Sequence, residues 1–121
     1  MKTLLANRQT EPNNIKIALP LSDKIEFIEI SSILRCEGEG NYTHIFLVNG
    51  EEILASKTLK EFDELLTEHH FLRVHQSHLI NLNEVKSYIK TDGGYIKMKD
   101  GSSVSISRQR REWVVERLKS I

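Results

Sequence analysis

The chain has 121 residues, 39% hydrophobic and 28% charged, with 17 Lys+Arg balanced by 17 Asp+Glu. This suits one packed domain with its own core and excludes a disordered or collagen-like chain. No apolar run approaches the roughly 20 residues of a membrane helix, and the N-terminal apolar stretch is too short for a secretory signal. The single Cys36 cannot form an internal disulfide, which fits a reducing, cytoplasmic setting. Zero net charge hides an asymmetry: residues 1–68 hold 7 Lys+Arg against 12 Asp+Glu, whereas residues 69–121 hold 10 against 5. A polarised surface follows if the basic residues share a face.

Residues 1–14 are polar, lack periodicity and end in the breaker cluster Glu11-Pro12-Asn13-Asn14, which reads as an interdomain linker ahead of a domain spanning 15–121, with residues 1–7 alternatively the tail of a preceding helix. Ile15, Ile17 and Leu19 alternate with Lys16, Ala18 and Pro20, the period of a strand. Ile25 and Phe27, with Ile28 and Ile30, form a second run, and residues 33–36 a third. Residues 42–48 and 51–55 flank Asn49-Gly50, which predicts a two-residue hairpin turn with positive φ at both positions. Thr58-Leu-Lys-Glu61 predicts a capping box and a helix over about 58–69. Its spacing turns Leu59, Phe62, Leu65 and Leu66 inward and leaves Asp63 and Glu64 in water. His69 and His70 sit favourably at its negative end.

Short apolar runs at 71–74 and 79–82 then surround the polar His75-Gln76-Ser77-His78. Residues 85–89 and 95–98 flank Thr91-Asp-Gly-Gly94, and Asp100-Gly101 predicts another hairpin leading into 103–106. A closing helix over about 107–120 turns Trp113, Val114, Leu118 and Ile121 inward. The predicted fold class is mainly β and antiparallel, with two α-helices.

Three polar clusters interrupt the apolar pattern: Glu37-Gly-Glu-Gly-Asn-Tyr-Thr43, Arg73-Val-His-Gln-Ser-His78 and Ser105-Ile-Ser-Arg-Gln-Arg-Arg111. Each falls where a strand ends, the usual place for recognition residues on a rigid sheet. Asn and Gln amides bond bidentately to adenine and Arg to guanine, while Ser, Thr, Lys and backbone N–H groups hold phosphates. The third cluster points most directly to an anion. Arg108, Arg110 and Arg111 occupy the first turn of a helix, where the dipole prefers acids, and a phosphate outside the chain accounts for them. Each cluster also has a plainer reading. Gly38, Gly40 and Asn41 are good turn residues in any protein. Arg73 can pair with a carboxylate, and Ser107 is an adequate N-cap beside solvated arginines.

His75-x-x-His78 is half a metal-ligand set, but one cysteine leaves no four-ligand zinc pattern. Cys36, in an apolar strand, reads as a buried and inert thiol. No Gly-rich phosphate loop, His-Glu-x-x-His pair or Gly-x-Ser-x-Gly elbow is present. Neither a metal, a cofactor nor enzymatic activity is expected.

In their order and spacing these segments resemble the LytTR (LytR/AlgR-type) DNA-binding domain of bacterial response regulators. The residues that carry the resemblance are Glu37-Gly-Glu-Gly-Asn-Tyr-Thr43, Ser56-Lys-Thr-Leu-Lys-Glu61, Phe71-Leu-Arg-Val-His-Gln-Ser-His-Leu-Ile-Asn81 and Val104-Ser-Ile-Ser-Arg-Gln-Arg-Arg111. The match runs from about Ile15 to Leu118. It implies an elongated, mainly β fold of short antiparallel sheets that reads duplex DNA with loops rather than a recognition helix. It implies base contacts from Asn41 or Thr43, Gln76 and Arg108. It implies phosphate contacts from Lys57, Arg73, His75, Ser77, Ser105, Ser107, Arg110 and Arg111, with His78 in a packing role. It further implies a transcriptional role, paired direct repeats as the target, two copies meeting on the DNA, and an N-terminal receiver domain reached through residues 1–14. The competing expectation is a non-enzymatic protein-interaction module whose basic face meets an acidic partner.

Overall fold

Residues 15–120 are described by the computed structural model; the linker reading of 1–14 and the inward placement of Ile121 lie outside them. The elements are β1 (Lys16–Pro20), β2 (Ile25–Glu29), β3 (Ile33–Glu39), β4 (Tyr42–Leu47), β5 (Glu52–Ala55), α1 (Leu59–Leu66), β6 (Phe71–His75), β7 (His78–Asn81), β8 (Val85–Ile89), β9 (Tyr95–Met98), β10 (Ser103–Ser105) and α2 (Arg111–Lys119). The strands form three antiparallel sheets, ordered β1-β2, β5-β4-β3-β7-β6 and β10-β9-β8. Among the described residues the mainly β class with two α-helices therefore holds. No helix among the described residues is long and apolar enough to cross a membrane.

The five-stranded sheet is the middle layer, apolar across one face and apolar on the other toward β6 and β7. One face presents Cys36, Ile45, Ala55 and Leu79 to Leu59, Phe62 and Leu66 of α1 and to Leu19 of β1. The other presents Leu34, Leu72, Val74 and Ile80 to Ile96, Met98 and Val104 of the three-stranded sheet and to Val114 of α2. Neighbours such as Leu79 and Ile80 thus enter different cores, which is why β6 and β7 read as continuous apolar runs.

Helix α1 begins as its sequence predicts. Glu61 N–H donates to Thr58 Oγ1 at 3.3 Å, and Thr58 N–H donates to Glu61 Oε2 at 3.0 Å. The bond from Thr58 N–H holds the Glu61 carboxyl below its usual pKa range. The α-helix is shorter than predicted. It ends at Leu66, followed by a 3-10 turn over Thr67–His69 and a left-handed His70 at φ +68°. Leu65 is exposed, one position off the buried Leu59–Phe62–Leu66 stripe, and Asp63 is half-buried rather than in open water.

The closing helix also departs from its prediction. Arg108–Arg110 form a 3-10 turn, and the α-helix begins at Arg111. Only Val114 is fully buried there. Trp113 lies outside the core with the Arg117 guanidinium 5.7 Å from its ring centroid. The Val114–Leu118 stripe is enough to cover the sheet below, and Trp113 falls beside it.

Both Asx-Gly hairpins differ from the two-residue expectation. Only the glycines take positive φ, Gly50 at +96° and Gly101 at +92°. Gly50 N–H donates to the Leu47 carbonyl at 3.0 Å and Gly101 N–H to the Met98 carbonyl at 2.9 Å, as in a type I turn closed by a left-handed residue. Asn49 Oδ1 accepts from Glu51 N–H, and Asp100 Oδ1 accepts from Ser102 N–H, both at 2.9 Å. This local acceptor favours the longer turn.

Gly94 combines positive φ, +92°, with a close neighbour: a Cβ there would sit 2.3 Å from the Tyr88 hydroxyl, whereas one at Gly101 meets nothing within 4 Å. Gly101→Ala should cost about 1 kcal/mol of backbone strain and Gly94→Ala about 2–4 kcal/mol, as strain and overpacking add. Urea unfolding of the two variants checks this, and equal losses would remove the packing role of the Tyr88–Gly94 contact.

Candidate nucleic-acid interface

Two of the three polar clusters meet at one end of the middle sheet, and the third docks beside them. Cluster one is a strand end rather than a broad loop, because β3 continues to Glu39 and β4 resumes at Tyr42. Only Gly40 and Asn41 form the turn, with Gly40 at φ +61° in the first central position, as a type II′ turn requires. Cluster two is the Gln76-Ser77 turn between β6 and β7. Because β3 pairs with both β4 and β7, these turns are neighbours, joined by a 2.9 Å bond from Gly38 N–H to the Ser77 carbonyl. Cluster three approaches from the β6 side. Ser107 N–H donates to the Val74 carbonyl at 3.0 Å, and Arg110 Nη1 donates to the Arg73 carbonyl at 3.2 Å.

The structure sorts the candidate base readers. Asn41, Gln76 and Arg108 are exposed on the three segments just described. Thr43 is not available: it is fully buried and its hydroxyl donates to the Lys57 carbonyl at 2.7 Å. Its parity within β4 turns it toward the core, so it fixes Lys57 beside the Asn41 turn instead of facing a ligand.

The candidate phosphate contacts divide similarly. Arg73 is committed inside the fold, with Nη2 donating to the Gln76 carbonyl at 2.5 Å and Nη1 lying 3.9 Å from Asp63 Oδ2. It braces the Gln76 turn, which corrects its reading as a free phosphate contact. His75 Nδ1 accepts from Ser77 N–H at 3.0 Å, leaving Nε2 to carry the proton of the neutral ring. Ser107 caps no helix: its enclosed hydroxyl has no hydrogen-bond partner among the described residues. Arg108 and Arg110 therefore sit on a 3-10 turn, and of the three arginines predicted in the first turn of the α-helix only Arg111 lies there. Ser105 and Arg111 line a cleft of about 350 Å³ together with Asp92 and Tyr95.

Sequence reading missed one cluster beside the Asn41 turn. His44 Nδ1 lies 2.6 Å from Glu52 Oε2, and its Nε2 lies 2.7 Å from Glu39 Oε1. The hydrogen bond to Glu39, then that to Glu52, raises the pKa of His44 above the ordinary histidine value. The half-buried His78, 5.0 Å from the His75 ring, is shifted down by loss of solvent. Burial likewise pushes the Cys36 thiol far up, which keeps it protonated and inert.

These shifts have opposite consequences. The contacts of His44 support the fold fully below about pH 6.5 and lose effect as pH rises through the raised value. For His78, stability is intact above about pH 6.5 and declines as pH falls toward the lowered value. A histidine ring titration by NMR should place the His44 midpoint above, and the His78 midpoint below, about 6.5. Coincident midpoints would refute both environments.

The chain matches the family model described as the LytTr DNA-binding domain over residues 23–119. It is 27% identical over 124 aligned positions to the sensory transduction protein LytT of Oceanobacillus iheyensis, covering 99% of this chain and 50% of that protein. It is 28% identical over 96 positions to the CO-responsive transcriptional regulator RcoM of Rhodospirillum rubrum, covering 77% of this chain and 40% of that protein. The chain thus spans two-fifths to half the length of these curated relatives. Its fold superposes on a solved LytTr DNA-binding domain from Bacillus cereus with a TM-score of 0.72 at 20% identity, covering 84% of this chain and 94% of that one. With the family match extending over most of its length, this chain belongs to the LytTR family of DNA-binding domains.

Proposed function

We propose that the domain binds duplex DNA sequence-specifically and serves as the output domain of a two-component response regulator that controls transcription. The observation that carries this reading is the presentation of exposed Asn41, Gln76 and Arg108 by three segments hydrogen-bonded into one sheet end. Segments braced in this way lose little backbone entropy on binding, and the amide and guanidinium chemistry they carry matches base edges in the major groove. Lys57, His75, Ser77, Ser105, Arg110 and Arg111 supply the flanking phosphate contacts. Arg73, Thr43 and Ser107 hold those groups in place. The full protein, in this reading, carries a receiver domain on the N-terminal side, and two copies occupy direct repeats. The sensory transduction role of the Oceanobacillus iheyensis relative supports that arrangement, as does the greater length of that relative.

Selection from a pool of random duplexes should yield a preferred sequence. On that duplex, Arg108→Ala should cost about 1–3 kcal/mol and relax preference at one base position. Unchanged affinity for both the selected and a scrambled duplex would exclude Arg108 as a base reader. Equal binding of all duplexes by the unaltered chain would replace the reading with a general anion-binding surface. Arg110→Ala should weaken all duplexes alike and reduce the log affinity–log salt slope by roughly one. A slope that does not change would exclude a phosphate contact there.

A further inference from the structure

Glu39 of β3, His44 of β4 and Glu52 of β5 form one bridged row across three adjacent strands. Glu39 immediately precedes the Gly40-Asn41 turn and pairs across it with Tyr42, so whatever holds Glu39 holds the turn. Both nitrogens of the His44 ring face carboxylate oxygens, at 2.6 and 2.7 Å. A neutral imidazole carries one N–H and can satisfy only one of them, whereas the imidazolium satisfies both.

The surrounding groups do not substitute for this bridge. On β3, Glu37 lies opposite His44 and is engaged by Arg35 Nη1 at 3.3 Å. Arg35 itself sits 4.0 Å over the Phe46 ring. On β4, Phe46 stacks 6.4 Å from the imidazole, and on β5 its cross-strand neighbour is the apolar Leu54. His78 of β7 pairs with Glu37 and not with Glu39. The Glu39 side chain is 77% exposed, so a carboxylate released by His44 is free to move beside the turn.

We propose that His44 is a positioning residue for the Asn41 turn and makes DNA affinity fall as pH rises. As imidazolium it ties Glu39 and Glu52 across the three strands and offsets carboxylate charge next to the DNA phosphates. As neutral imidazole it lets Glu39 go, loosening the turn and placing an uncompensated negative charge at the interface. The proposal rests on the DNA-binding reading above.

The test is duplex affinity at pH 6, 7 and 8 and constant ionic strength, using the whole chain and its selected sequence. The unaltered chain should weaken roughly threefold to tenfold from pH 6 to pH 8, within the limit of about tenfold per pH unit set by one linked proton. His44→Gln should abolish most of that slope, and His69→Gln, on the 3-10 turn at the opposite end of β6, should keep it. Glu39→Gln, an exposed change that carries the same test if His44→Gln loses the fold, should bind more tightly than the unaltered chain at pH 8. An equal slope in the unaltered chain and His44→Gln, or a flat profile in the unaltered chain, overturns the proposal and leaves DNA binding intact. Failure to bind any duplex at any pH overturns the DNA reading and this proposal with it.

Discussion

Strand β3 is hydrogen-bonded along both edges, and the polar turns depend on that double pairing. Its register sets Glu39 against Tyr42 on one side and Glu37 against His78 on the other, which brings the Asn41 and Gln76 turns together. A slip of one residue would exchange the faces, sending Cys36 toward solvent and Glu37 into the core. Gly38 marks the tightest point. Its N–H reaches the Ser77 carbonyl at 2.9 Å, and a Cβ there would stand 3.0 Å from Leu59 Cβ. The absent side chain lets α1 close over the strand just before the turn. Core packing and turn placement are therefore parts of one constraint.

Charge is distributed with equal economy. The acidic excess of the first 68 residues would repel DNA if it were free. Yet the acids nearest the turns are engaged: Glu37 by Arg35, Glu39 and Glu52 by His44, Asp63 by Arg73. The arginines correspondingly grade from an internal brace, through Arg110 with one nitrogen engaged, to an exposed group. Arg73 holds the Gln76 carbonyl, Arg110 reaches the Arg73 carbonyl, and Arg108 projects freely. A net charge of zero thus describes the whole chain and says little about the surface at the end of the sheet.

Local signals were legible wherever their physics is local. The Thr58–Glu61 capping box needs only four residues, and it forms as written. The three clusters stand out because polar residues interrupt apolar runs. Errors arose where a neighbour in space decides. Thr43 sits in the same motif as Asn41, but extension of β3 to Glu39 leaves a two-residue turn and sets Thr43 inward. Trp113 is a large apolar residue with no core to enter, because Val114 and Leu118 already cover the sheet. The turns at Asn49 and Asp100 lengthen because each side-chain oxygen captures a nearby N–H, a choice the dipeptides alone leave open.

By itself, the sequence determined the β-rich class, the strand order along the chain, the start of α1 and the family to which the chain belongs. Those properties follow from periodicity, capping chemistry and motif spacing, all read over short stretches. Only the tertiary structure decided which polar residues face solvent and which serve as braces. It also decided that His44 stands between two carboxylates. Glu39, His44 and Glu52 are scattered in a linear reading and carry no motif. The pairing of β3, β4 and β5 brings them within hydrogen-bonding distance, and strand register is a property of contacts across the sheet.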